Sequence, residues 1–150
     1  MKKAQLSTEY LIVLAVVLVL VLVVVGIMSG FPSLGTQAKE SQSVSYWSSA
    51  SPLSIKTYKA SATTLDLVLV NRLSEKVTLT GVSLGTGASV FGTSTDFGPG
   101  EEKQIAATLA STCGVVGTQF DYANVTITYT KGTVSGLKEV GTVSLVGKCS

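Results

Sequence analysis

Hydrophobic and polar residues are distributed very unevenly along the chain. Every position from Tyr10 to Met28 is apolar or glycine. This run of 19 residues would be about 28 Å long as an α-helix, and the hydrocarbon core of a bilayer is about 30 Å thick. Because apolar side chains would lie on every side of such a helix, lipid or other helices must cover it all round. The pattern predicts a membrane-spanning helix.

The pattern changes after the apolar run. Gly26, Gly30 and Pro32 predict a bend or a melted segment, because proline is not tolerated in a helix interior without a kink. Residues 33–50 are rich in serine, and we predict a helix there that leads toward an outer domain, although the apolar positions do not follow a clean 3.6-residue period. Pro52 marks the expected domain border.

From Leu53 onward the apolar residues recur at every second position, which is typical of β-strands. Gly81 shifts the phase of this alternation and predicts a bulge. About seven short strands in roughly 95 residues predict an antiparallel β-sandwich with a generic likeness to Ig-like modules. The expected fold class is therefore α+β, a long N-terminal hydrophobic helix followed by an Ig-like sandwich. The clearest predicted strands are 63–71, 76–80, 104–109, 121–130 and 142–146.

The charges indicate how the chain is oriented. Eleven Lys and Arg residues stand against nine Asp and Glu residues, a formal net charge of +2. Lys2 and Lys3 supply that excess, and the next basic residue is Lys39. The positive-inside rule therefore predicts a cytoplasmic N-terminus and an external C-terminal part. A domain with balanced charge and no basic patch is not expected to bind nucleic acid.

An ordinary secretory signal, removed after the apolar run, is the alternative for this N-terminus. The run is longer than the 7–15 residues of a typical signal-peptide core. No A-x-A-like site follows it, and the acidic segment Gln5–Tyr10 separates the lysines from it. These features favour a run that stays in the mature protein.

The N-terminal sequence resembles that of a known family. The stretch KKAQLSTEY at residues 2–10, followed at once by the apolar run, resembles the class III signal peptide of archaeal type IV pilins. The resemblance implies that a membrane aspartic prepilin peptidase cuts between Ala4 and Gln5. The expected organisation is then a leader peptide at 1–4, a hydrophobic helix and stalk at 5–50, and an extracellular β-sandwich domain at 51–150.

Glu9 is the one carboxylate beside the apolar run. A lone carboxylate there costs several kcal/mol unless it is paired or reaches the headgroups. After cleavage, the new α-amino group of Gln5 would lie on the same helix face as Glu9. The resemblance implies that Glu9 of one subunit meets the amino terminus of a neighbour and so selects the register of assembly. The alternative is a Glu9 that lies at the interface, solvated by headgroups.

The resemblance implies a structural function. The chain would be a pilin that forms a helical homopolymer on the cell surface for adhesion or surface attachment. Its precursor would reside in the cell membrane, and its partners would be the prepilin peptidase and the pilus assembly machinery. Two alternatives are an archaellum filament subunit, which shares the same plan, and a single-span membrane-anchored surface binding protein.

Two further features concern the outer domain. Cys113 and Cys149 would face an oxidising space, where a disulfide persists. Such a bridge would join residues separated by 36 positions and stabilise the fold by roughly 4 kcal/mol; two free thiols are the alternative. Asn124 begins an N-x-Thr sequon, and it would face solvent if Val125 and Ile127 face the core. It is therefore a candidate for N-glycosylation.

No catalytic pattern is recognisable in the chain. It contains no histidine, and phosphate-binding, dinucleotide-binding and serine-hydrolase motifs are missing from the sequence. Two cysteines without histidine make a metal site improbable. We expect neither an enzyme nor a bound cofactor or metal.

Overall fold

A computed structural model describes the backbone of residues 2–29, 32–85 and 89–150 and the side chains of residues 8–29, 35–85 and 90–150. The chain divides into two compact units, Met1–Ala38 and Lys39–Ser150.

The first unit contains the apolar helix α1, Lys2–Ser29. A segment long and apolar enough to cross a membrane runs from Thr8 to Ser29. Valine is a modest helix former in water, but in an apolar medium the backbone has no alternative hydrogen-bond partners, which favours the helix. Gly26 lies inside α1 without interrupting it. Of the other residues in the predicted bend, Pro32 begins the next helix and Gly30 lies outside the described residues.

The predicted second helix is confirmed as α2, Pro32–Ser49. Proline is well suited to the first turn of a helix, where its missing N–H would have no partner. The boundary between the units falls within α2, so its C-terminal part belongs to the second unit. Ser43 and Trp47 are fully buried there, and residues four apart lie on one helix face. The buried face thus includes a serine, which explains the missing apolar period.

Ten strands follow in the described part of the second unit, and all the strand pairs are antiparallel. They are β1 Leu53–Ala60, β2 Thr64–Asn71, β3 Val77–Ser83, β4 Ser89–Phe91, β5 Thr95–Phe97, β6 Glu102–Thr108, β7 Gln119–Tyr122, β8 Thr126–Lys131, β9 Val134–Val140 and β10 Leu145–Lys148. The antiparallel sheets after an apolar helix confirm the α+β class.

The strands form two larger sheets and one ribbon. The first sheet has the order β1-β2-β6, and the second has the order β4-β3-β8-β9 with β5 also paired to β3. The ribbon consists of β7 and β10. The register between β3 and β8 shifts between Leu79 and Gly81, which confirms the predicted bulge.

Both sheets and α2 contribute to one hydrophobic core. Residues of β2 alternate between buried and half-buried positions, as the period of two predicted. The largest fully buried side chains are Trp47, Leu53, Ile55, Leu65, Leu67, Leu69, Val77, Leu79, Val82, Phe97, Ile127 and Leu145.

Two strand predictions need correction. The predicted strand 121–130 is two strands, β7 and β8, which pair with different partners. Asn124 lies between them with φ +52°, a left-handed conformation that ends an extended segment. The predicted last strand, 142–146, instead spans Leu145–Lys148, because its pairing partner β7 ends at Tyr122 opposite Leu145.

Candidate functional site

The first candidate site is the surface of α1. Its described large apolar side chains, from Tyr10 to Met28, are 47–68% exposed. A continuous apolar surface of this extent is not stable against water and marks a site that lipid or other proteins cover. Because this surface surrounds the helix, it can serve in a bilayer or in a bundle of helices.

Glu9 is the one charged residue of the span Thr8–Ser29. It lies near the start of α1, its side chain is exposed, and no described residue forms an ion pair with it. Ala4 and Gln5, the predicted processing site, lie in the first turns of α1, and their side chains are outside the described ones.

In the second unit, hydrogen bonds fix the end of α2 to the sheets. The Val146 N–H donates to Ser43 Oγ at 3.0 Å, and the Tyr58 hydroxyl donates to the Val146 carbonyl at 2.6 Å. Ser43 Oγ and the Tyr58 hydroxyl are 3.3 Å apart and close the ring. Burial raises the pKa of Tyr58, against the opposing effect of its hydrogen bond with Ser43. The result is a rigid attachment of the helix to β1 and β10.

Arg72 holds the C-terminal end of α2. Its guanidinium donates to the Ser48 carbonyl through Nη2 at 2.9 Å and to Ser54 Oγ through Nε at 2.9 Å. Carbonyls in the last turn of a helix have no partner within the helix. The arginine therefore supplies one and fixes the connection between α2 and β1.

The predicted disulfide is present. Cys113 and Cys149 are bonded at an S–S distance of 2.06 Å. The disulfide joins the loop before β7 to the residue after β10. The backbone of Cys149 also pairs with that of Ala60, at the end of β1, in an isolated parallel β-bridge. This covalent link closes one end of the second unit.

Asn124 is exposed in the loop between β7 and β8. Val125 and Ile127 are both fully buried, as predicted. The Thr126 hydroxyl donates to the Asn124 carbonyl at 3.4 Å. The asparagine of the sequon is thus accessible to a modifying enzyme, and its glycosylation stays a prediction.

The carboxylates of the β5–β6 region stabilise a turn. Glu101 accepts a hydrogen bond from the Gly98 N–H at 2.6 Å and forms an ion pair with Lys103, and these interactions lower its pKa. Asp96 binds Lys76 and the Thr78 hydroxyl, which lower its pKa in the same way. No group of three or more metal-ligating side chains occurs among the described residues.

A groove of about 510 Å³ lies between α2, β1 and β10. Glu40 of α2 lines it, together with Lys148 and Ser150 at the other end of the chain. The C-terminal part of α2 and the residues on either side of Cys149 therefore line the same groove.

The buried Asn71 was not predicted as a structural residue from the sequence. Its side-chain amide donates to the carbonyls of Glu75, Phe97 and Gly98 at 2.7, 3.2 and 3.0 Å, and its carbonyl accepts from the Leu73 N–H at 2.9 Å. One side chain thus satisfies the backbone of two neighbouring loops. An asparagine at the end of an apolar strand was the one available signal.

Comparisons of the chain with models of protein families, with curated proteins and with solved structures find no significant match. The function is therefore inferred from the residues of the chain itself.

Proposed function

We propose that the chain is a pilin-like structural subunit of an archaeal type IV pilus-like surface filament, with a function in adhesion or surface attachment. The observation that supports this proposal most directly is the combination of two features. The stretch KKAQLSTEY at residues 2–10 leads into the apolar run that ends at Met28, and every residue of the span Thr8–Ser29 is exposed. Helices of this kind are stable in a bilayer and in a helical bundle, the two environments that a filament subunit must occupy in turn.

Assembly follows from the chemistry of the N-terminus. The prepilin peptidase cleaves between Ala4 and Gln5 and leaves a positively charged amine at Gln5. Glu9 of one subunit then pairs with the amine of a neighbour. An unpaired charge within an apolar bundle is costly, so this pair selects one register among the many that an all-apolar helix would allow. The pilus assembly machinery moves the subunit from the membrane into the filament.

The second unit is proposed to be an Ig-like β-sandwich that coats the helical core and faces the medium. The precursor has a cytoplasmic N-terminus, which places this unit outside the cell. Its disulfide suits that location, because such bonds persist in oxidising surroundings. The function requires neither catalysis nor a cofactor.

The proposal is tested by determining the mature N-terminus and imaging the cells that produce the protein. Mass spectrometry of the N-terminal peptide of the purified chain is expected to show a start at Gln5, as free glutamine or as pyroglutamate, and immunogold electron microscopy is expected to label surface filaments. An intact Met1 in a membrane fraction without labelled filaments would instead support the single-span binding protein. Labelled filaments whose loss abolishes swimming would support the archaellum subunit.

A further inference from the structure

The groove between α2, β1 and β10 lies where two strands part. Within the described residues, β1 and β10 meet in one backbone bridge, at Ala60 and Cys149. The Ala60 carbonyl faces β10 there, since it accepts from the Ser150 N–H at 2.9 Å. Alternate residues of a strand direct their backbone groups to the same edge, so the Tyr58 backbone also faces β10, but no backbone hydrogen bond joins it to Lys148. Both strand edges therefore offer backbone donors and acceptors to the groove.

The groove is too short for an added β-strand. The Tyr58 hydroxyl donates to the Val146 carbonyl at 2.6 Å, and the bridge between Ala60 and Cys149 lies two residues further along β1. These two links connect β1 and β10 on both sides of the gap, whereas strands in proteins have about 3–10 residues. The volume of the groove, about 510 Å³, falls within the roughly 300–1,000 Å³ that is typical of small-molecule sites. A compact ligand therefore fits better than a peptide in an extended conformation.

The side chains of the groove combine cations with an acceptor. Lys59 and Lys148 line it, and neither forms an ion pair with a described residue. Lys56 also lines it, but its ammonium binds Glu102 at 2.7 Å. Glu40 is the one carboxylate side chain among the described lining residues. Phosphate presents mainly acceptors, and Glu40 would repel it, whereas a ligand with both an acid group and hydroxyl groups matches all of these partners.

We propose that this groove binds one acidic sugar unit of a polysaccharide, a unit that carries a carboxylate or a sulfate. Lys59 and Lys148 bind the acid group, and Glu40 and the two strand edges bind the sugar hydroxyls. The exposed Val44 and the half-buried ring of Tyr58 also line the groove, and such apolar surfaces cover the C–H face of a sugar ring. The use of this site rests on the proposed function, because it gives the class of polymer to which an adhesive filament attaches.

Titration of the full chain in detergent, followed by NMR of the backbone amides, tests this site. The probes are trigalacturonate, galactotriose sulfated at one position, and neutral galactotriose. At least one acidic probe is expected to bind about tenfold more tightly than the neutral one and to shift the amide signals of Tyr58 and Lys148. The tighter of the two acidic probes identifies the acid group. Lys59→Gln with Lys148→Gln should weaken this binding about tenfold. The matched control, Lys39→Gln with Lys138→Gln, changes two lysines that also form no ion pair with a described residue and should keep the native affinity.

Three results would overturn the sugar site. The first is equal affinity for the acidic and the neutral trisaccharides, and the second is native affinity in the variant that lacks Lys59 and Lys148. The third is that inorganic phosphate or a short oligonucleotide binds the groove as tightly as the acidic probes, which would indicate a general anion site. Because the titration requires no assembly, each of these results leaves the proposed filament standing. A chain that binds the acidic probe but forms no filaments would instead refute the proposed function and leave the sugar site in place.

Discussion

The indole ring of Trp47 occupies the space in which a side chain at position 141 would begin. A Cβ added to Gly141 would collide with Cζ2 and Cη2 of the Trp47 ring and would also lie 3.3 Å from the Val125 carbonyl. The Gly141 N–H donates to that same carbonyl at 2.8 Å, so the backbone cannot easily move away. The buried tryptophan of α2 therefore requires a glycine 94 positions later in the chain.

Replacing Gly141 by alanine should destabilise the second unit. Overpacking of a well-filled core costs about 1–3 kcal/mol, and both the rigid ring and the backbone carbonyl resist displacement. The free energy of unfolding can be measured by denaturant titration in detergent, with Trp47 as the fluorophore because it is the single tryptophan. Gly92→Ala is the matched control, since nothing lies within 4 Å of its added Cβ. Equal stability of the two variants would contradict the close packing.

Replacing Ser43 by alanine should also reduce stability. The Val146 N–H would lose its acceptor in a buried site, and an unsatisfied buried donor costs about 1–3 kcal/mol. The same titration gives the change in unfolding free energy. Ser41→Ala, at an exposed position of α2, is the control and should stay within about 0.5 kcal/mol of the native chain. If Ser43→Ala lowers the free energy of unfolding as little as the control does, a water molecule or a rearranged Tyr58 hydroxyl accepts the hydrogen bond from the Val146 N–H in place of the serine.

Much of the architecture could be predicted from periodicity. The apolar run gave α1, the alternation of Leu65, Leu67 and Leu69 gave β2, and the phase shift at Gly81 gave the bulge. Such features are local, because one helix or one pair of strands determines the pattern. The strands β4 and β5 have only three residues each, too few to show a period.

The attachment of α2 to the sheets could not be predicted in this way. Ser43 bonds to Val146 and Trp47 packs on Gly141, contacts that join residues about 100 positions apart. A serine and a glycine carry no signal of such pairing, because each is common on surfaces and in turns. The candidate assembly site, in contrast, could be located from the sequence, because Glu9 and the apolar run are next to each other in the chain.

The stability of the second unit should depend on pH through Glu139. Burial raises the pKa of Glu139 from 4.5 to about 6, although a hydrogen bond from the Leu53 N–H at 3.4 Å opposes this. The folded state therefore holds the proton more tightly than the unfolded state. Protonated Glu139 therefore stabilises the folded state. This stabilisation is complete below pH 4.5 and is lost as the pH rises through about 6.

Glu139→Gln removes this titration. Because the carboxyl group is only partly shielded from water, we expect the variant to gain about 1 kcal/mol relative to the native chain between pH 4.5 and 7. Comparing the two proteins across this range cancels the effects of Asp96 and Glu101, whose lowered pKa values act in the opposite direction. Parallel stability curves would show that Glu139 does not titrate as described.

Removal of the disulfide should destabilise the second unit strongly. The bridge between Cys113 and Cys149 spans 36 positions, and the chain-entropy model assigns roughly 4 kcal/mol to a loop of that length. A Cys113→Ser, Cys149→Ser variant should therefore unfold at lower denaturant concentration. The native chain treated with reductant is the matching sample and should reproduce the shift. A variant as stable as the oxidised native chain would show that the remaining hydrogen bonds close this end by themselves.

Replacing Glu9 by glutamine should separate membrane insertion from assembly. Loss of the one charge within the span Thr8–Ser29 eases insertion, so the variant should reach the membrane and be cleaved before Gln5 as the native chain is. Assembly should fail, because the amine of the neighbouring subunit would be left without its partner. Breaking a buried ion pair costs about 3–5 kcal/mol, enough to reduce filament number by an order of magnitude or more. Immunoblots of processing and filament counts by electron microscopy measure the two steps separately.

Glu75→Gln is the control, since this exposed carboxylate pairs with Lys131 in the second unit. Filaments of native number from Glu9→Gln cells would exclude the ion pair as the determinant of register and would leave Glu9 solvated among the headgroups.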